Sequence, residues 1–176
     1  MIKLIVSDID GTLLEDGGHE LNPELFEVIG KLREKGMQFA AASGRQWASI
    51  ESVFEPVKRK IFYLSDNGAY VGMCGRNLFV HPIERELIHD MIRDIRAEGL
   101  TPMVSGPDVA YLEGDDEEFY RWLVDGYQFR VKRVRDLMEV DDSFIKISAY
   151  KKHGVEPATK SLREKYGDRL KITISG

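Results

Sequence analysis

The chain opens on an alternation. Ile2, Leu4 and Val6 interleave with Lys3, Ile5 and Ser7, and a period of two predicts a strand. From residue 22 the period lengthens. Asn22 is a good N-cap, Pro23 suits the first helical position, and Leu25, Phe26, Ile29 and Leu32 recur on one face until Gly36. Residues 37–43 (MQFAAAS) read as a second strand, because a helix precedes them and another follows. That next helix is expected from about Gln46 to Phe54, with Trp47, Ile50, Val53 and Phe54 apolar and Pro56 helping to end it. Residues 61–65 (IFYLS) form a third strand. The order β-α-β-α-β predicts a parallel sheet with right-handed crossovers.

After Asp66-Asn67-Gly68 the pattern changes. Residues 69–82 look like a hairpin turning near Cys74-Gly75-Arg76-Asn77. A helix is expected at about 84–98, carrying Leu87, Ile88, Met91, Ile92 and Ile95 on one face. Strands near 101–105 and 109–113 flank Gly106-Pro107-Asp108, a turn that implies an antiparallel pair. Asp115 and Asp116 then lead a helix through about Asp125, where acids suit the positive helix start and read as structural. Some strand is expected near 129–134, a clear one at 144–150 (FIKISAY), a helix at about 155–166, and a last strand through Leu170, Ile172 and Ile174. The fold class is therefore α/β: a parallel, Rossmann-like part over residues 1–80, then an α+β part over residues 81–176. The boundary falls somewhere in 68–82.

Composition narrows the partners. With 43% hydrophobic and 31% charged residues among 176, the chain reads as a globular protein with a real core. A formal charge of -5 offers no basic footprint for nucleic acid. No apolar run is long enough to cross a membrane, and no signal peptide is evident. The single cysteine, Cys74, allows no internal disulfide and fits a reducing cytoplasm. His19, His81, His89 and His153 are scattered without zinc-site spacing and read as surface or hairpin residues. Tyr111, Trp122 and Tyr127 read as core of the second part.

The candidate chemistry lies at the ends of the first strands. Asp8 and Asp10 follow the first strand, two apart, so both carboxylates emerge together at its carboxyl end, where ligands bind in open α/β sheets. Gly11 permits a sharp turn and Thr12 adds a hydroxyl. Such a pair suits a magnesium-assisted reaction on phosphate, one carboxylate attacking and the other moving a proton. A polar loop containing Gly17 and Gly18 runs to Glu20, either a plain connector or a flap over the site. Ser43 and Gly44 precede a helix, a position that welcomes phosphate or serves as a simple N-cap. Arg45 could clamp a substrate or pair with an acid.

DIDGTLL at 8–14, ASGR at 42–45 and SDNGA at 65–69, each after a strand, resemble the haloacid dehalogenase (HAD) superfamily. The α+β module resembles the large cap of its Cof-type sugar-phosphate phosphatases. The resemblance implies an aspartyl phosphate on Asp8 and acid–base work by Asp10. It implies magnesium held by the Asp8 carboxylate and the Asp10 carbonyl, and a phosphoryl oxygen held by Ser43. The expected substrate is a small phosphorylated metabolite, with sugar phosphates foremost; phosphosugar mutase chemistry is the neighbouring possibility. The family continues past its cap to a lysine and a GDxxND-type motif, and no such run occurs here. The expectation is therefore an amino-terminal part of a longer enzyme, a poor catalyst alone that self-associates through an exposed core edge. The alternative is a non-catalytic fragment that binds phosphate weakly.

Overall fold

A computed structural model describes residues 2–14 and 20–174. The loop read as a flap, including Gly17 and Gly18, and His19 lie outside the described residues.

The first sheet contains β1 (Leu4–Asp8), β2 (Gln38–Ala42), β3 (Phe62–Ser65), β4 (Tyr70–Met73) and β5 (Arg76–Val80), hydrogen-bonded in that order. β1, β2 and β3 are parallel, as the alternating pattern predicts. Helix α1 (Pro23–Glu34) and helix α2 (Trp47–Val53) make the crossovers. The α1 cap forms as read: Asn22 Oδ1 accepts from the Glu24 amide at 2.9 Å, and Gly36 closes the end at φ 73°. Pro56 does not simply stop α2; it opens a 3₁₀ segment, Glu55–Lys60, that leads into β3. The hairpin β4–β5 adds two antiparallel strands to this sheet, turning over Cys74-Gly75. Ile9, Ile29, Phe39, Ala41, Ile50, Phe54, Ile61 and Tyr63 form the core beneath it.

β1 is the end strand of this sheet among the described residues, and Leu4 and Val6 are each 50% exposed. An unpaired edge with exposed apolar side chains is a template for association.

The second sheet has the order β8-β7-β6-β9, from β6 (Thr101–Ser105), β7 (Ala110–Glu113), β8 (Val131–Val134) and β9 (Lys146–Tyr150). Helices α3 (Arg85–Ala97) and α5 (Glu156–Tyr166) share an apolar cluster with Ile147 and Ala149. Met103, Ala110 and Leu112 point the other way, against Phe119 of α4 (Glu117–Arg121) and Leu123. The Asp116 side chain accepts from the Phe119 amide at 2.9 Å, so the acidic run does cap α4. One pair in this sheet, β7–β8, is parallel rather than antiparallel, because α4 and the π-helical turn Trp122–Gly126 carry the chain across.

Three expectations fail. The last strand does not form: residues 171–174 join no ladder, although Leu170 and Ile172 pack on the α3–α5 cluster as their alternation suggests. An alternating pattern places side chains, but a strand also needs a partner edge. Trp122 is 49% exposed rather than core. His89 is only half-exposed, and its Nε2 is buried with no hydrogen-bond partner among the described residues.

Candidate active site

The carboxyl ends of β1, β2 and β3 lie side by side, and the loops that follow them are tied together. Ile9 is fully buried while Asp8 and Asp10 on either side of it are exposed, so the two acids do share the outer side of the chain. The Ile9 carbonyl accepts from the amides of Thr12, Leu13 and Leu14, and Gly11 takes φ 72° to make that turn. The Gly11 amide donates to the Leu14 carbonyl. Thr12 is exposed in the same turn.

Ser43 and Arg45 both converge on Asp10. Ser43 Oγ donates to Asp10 Oδ2 at 3.2 Å. Arg45 Nη2 donates to Asp10 Oδ1 at 2.7 Å, and its Nε bridges both carboxylate oxygens at 3.2 and 3.1 Å. The Arg45 side chain is only 8% exposed, whereas Asp10 is 48% exposed. Arg45 Nη1 also reaches Ser49 Oγ at 3.4 Å, and its guanidinium lies 4.9 Å from the centre of the Tyr127 ring. Of the two roles open to Arg45, pairing with an acid is the one seen, and the acid is Asp10.

Ser43 is not a helix cap. α2 begins at Trp47, with Gln46 as its N-cap residue, and Ser43 Oγ instead accepts the Arg45 amide at 3.1 Å. Gly44 sits tightly between loops: a β-carbon there would lie 2.9 Å from Asn67 Oδ1. The Asp66 amide donates to the Arg45 carbonyl at 3.0 Å, and the Asn67 amide to the Ser43 carbonyl at 3.2 Å.

Several residues of this region are not apparent from the sequence. Lys146, at the start of β9, crosses from the second sheet and donates to the Gly44 carbonyl at 2.7 Å. Asp66 is 4% exposed, and its Oδ1 lies 4.0 Å from the lysine nitrogen. Gln46 holds the Arg130 backbone with both ends of its amide, at 2.9 and 3.4 Å, and Trp47 Nε1 donates to the Pro107 carbonyl at 2.8 Å. The only local signal is a lysine set between Ile145 and Ile147 in a strand.

Burial pushes the Asp66 carboxyl up to about 6, against the opposing pull of the Lys146 charge and the Ser65 hydroxyl. Burial also holds the Lys146 ammonium below the usual lysine range, with Asp66 opposing. A carboxyl raised on folding stabilises the fold fully below about pH 4, and that contribution is lost as pH rises through about 6. Asp66→Asn removes this dependence. Its stability, relative to the unaltered protein, is therefore expected to climb between about pH 4 and pH 7. The climb is at most about 3 kcal/mol, and thermal melts across that window read it. A flat difference would refute the burial effect.

The oxygens present suit magnesium. The Asp8 carboxylate is exposed, and among the described residues its Oδ1 accepts only the Ile9 amide, at 2.9 Å. The Asp10 carboxylate is engaged by Arg45 and Ser43, which leaves its backbone carbonyl as the oxygen that could serve beside Asp8. Magnesium is commonly held by one or two protein oxygens together with substrate phosphate and water.

The family model for haloacid dehalogenase-like hydrolases matches residues 5–176. A 5-amino-6-(5-phospho-D-ribitylamino)uracil phosphatase of Escherichia coli is 23% identical over 99% of this chain, which spans 65% of that protein's length. A crystal structure from Eubacterium rectale superposes with a TM-score of 0.88 at 30% identity, over 99% of this chain and 68% of that one. A HAD subclass IIB sugar phosphatase superposes with a TM-score of 0.75 at 21% identity, over 92% of this chain and 62% of that one. No helix among the described residues is long and apolar enough to cross a membrane.

Proposed function

The chain belongs to the haloacid dehalogenase-like hydrolases, and from that premise we propose that it carries the nucleophile half of a magnesium-dependent phosphatase site. Its substrate class is small phosphorylated metabolites, sugar phosphates above all. The observation that carries this reading is the joining of Ser43 and Arg45 to Asp10, beside an exposed Asp8. Asp8 attacks phosphorus and forms an acyl phosphate as the ester oxygen leaves. Asp10 gives its proton to that oxygen, then takes one from the water that attacks the acyl phosphate and releases inorganic phosphate. Ser43 holds a phosphoryl oxygen. The Asp8 carboxylate and the Asp10 carbonyl would hold magnesium, which when bound offsets the phosphoryl charge. The second sheet contacts the Ser43–Trp47 loop and supplies the walls that choose the substrate. The names of the E. coli relative and of the sugar phosphatase support a phosphorylated metabolite carrying a ribityl or sugar group.

Residues 1–80 act in this reading as the core and 81–176 as the cap, working in the cytoplasm. The exposed β1 edge supports self-association, which a sizing column run at several concentrations reads directly.

Trapping the intermediate tests the chemistry. The protein incubated with acetyl phosphate and magnesium is expected to gain a phosphoryl group mapped to Asp8 by peptide mass, and to lose it when a chelator removes the metal beforehand. A phosphoryl group on any other residue, or one indifferent to chelator, would defeat the proposal. Release of the group to water marks a phosphatase; transfer to an added sugar hydroxyl marks a mutase.

A further inference from the structure

A lysine on a strand usually keeps its ammonium in water, since burying that charge is costly unless it is paired. Lys146 does otherwise. Its side chain is 24% exposed, it stands between Ile145 and Ile147, and its nitrogen reaches 102 positions back along the chain to the Gly44 carbonyl at 2.7 Å. That carbonyl belongs to the same planar peptide as the Arg45 amide. The Arg45 amide donates to Ser43 Oγ at 3.1 Å, and Ser43 Oγ donates to Asp10 Oδ2 at 3.2 Å. A serine hydroxyl has one hydrogen, so filling a lone pair from Arg45 leaves that hydrogen to be donated, to Asp10 as seen here and to a phosphoryl oxygen when phosphate is bound.

The carbonyls of this loop have separate holders. Asn67 takes that of Ser43 and Asp66 takes that of Arg45, both from the first sheet. The Gly44 carbonyl is held from the second sheet, by a charged donor. Asp66 Oδ1, buried and without a hydrogen-bond partner among the described residues, lies 4.0 Å from the lysine nitrogen and supplies its counter-charge.

We propose that Lys146 is a positioning residue for the phosphate site, acting from the second sheet through the Gly44–Arg45 peptide onto Ser43 and Asp10. Fixing the carbonyl fixes where the Arg45 amide points, and a positive charge at the carbonyl strengthens that amide as a donor. The proposal rests on the reading of Ser43 as a phosphate contact. It makes the docking of the second sheet part of what prepares that contact.

The test uses the whole chain, its ¹H–¹⁵N spectrum, and binding of inorganic phosphate in magnesium. Lys146→Met keeps the stem and removes the donor. It is expected to move the Arg45 amide resonance, to leave the Asn67 amide in place, and to weaken phosphate binding about tenfold. Lys146→Arg, which restores a charged donor, is expected to recover most of both. Should Lys146→Met fail to fold, Lys146→Gln, whose donor is too short to reach Gly44, takes its place. An Arg45 amide that stays put in the folded variant overturns the proposal. So does an amide that moves while phosphate affinity is unchanged, or an affinity that falls while the amide stays. If the amide moves but the unaltered chain binds no phosphate, Lys146 does position Ser43 and the phosphate reading of Ser43 is what fails.

Discussion

In any form of the protein that carries the proposed activity, Asp8→Asn is expected to fold normally and to turn over an aryl phosphate about 10⁶-fold more slowly, the scale on which a hydrolase loses activity when its nucleophile is removed. The two halves of that expectation come from different observations. Asp8 is exposed, and its described side-chain hydrogen bond is the one that Oδ1 accepts from the Ile9 amide at 2.9 Å. An asparagine oxygen can accept the same bond, so stability should change by no more than ~0.5 kcal/mol. The amide nitrogen, however, cannot form an acyl phosphate. Asp10→Asn is expected to cost less, roughly 10²–10⁴-fold, because it removes proton transfer and not the covalent step. Steady-state rates with magnesium, alongside thermal melts, separate the two. Near-normal rates in Asp8→Asn would remove the nucleophile assignment.

How much of this was readable in the chain depends on whether the determinant is local. Asn22-Pro23, Gly36 and the alternation of β1 are local signals, and each element they mark is present. The outward pair Asp8 and Asp10 follows from strand geometry, and the structure shows Ile9 buried between them. What the pattern could not show is pairing across sheets. Lys146 meets Gly44, and Gln46 meets Arg130, over 102 and 84 intervening steps. The lysine between Ile145 and Ile147 is a weak local mark of the first contact, and the second leaves none. FIKISAY reads as an ordinary strand whichever way Lys146 points. The start of α2 shows the same limit. Ser43 is a good cap residue by type, but its hydroxyl is engaged by Arg45 and Asp10, and the helix begins four residues later. The segment 170–174 shows the converse. Its apolar alternation is real, and Leu170 and Ile172 pack, yet no strand edge among the described residues accepts it.

Arg45→Met is expected to lower kcat about 10²-fold while moving KM little. The guanidinium is fork-shaped, and here the fork is closed on one carboxylate: Nη2 and Nε together hold both oxygens of Asp10 at 2.7 to 3.2 Å. Asp10 is half exposed, so with the fork gone water competes for it, and Ser43 Oγ at 3.2 Å is the contact that remains. A general acid displaced by about 1 Å costs on the order of 10²-fold. Stability should fall by about 2 kcal/mol, less than for a fully buried pair, because Asp10 can rehydrate when its partner is removed. Arg45→Lys restores the charge but not the fork, and should recover only a minor part of the rate. Measuring kcat and KM for the three proteins on one phosphate ester also decides between the two roles that the sequence leaves open for this residue. A loss confined to kcat assigns Arg45 to Asp10. A loss confined to KM, with kcat intact, would assign it to the substrate, and the ion pair seen here would then be the resting contact of a residue that turns to phosphate when phosphate arrives.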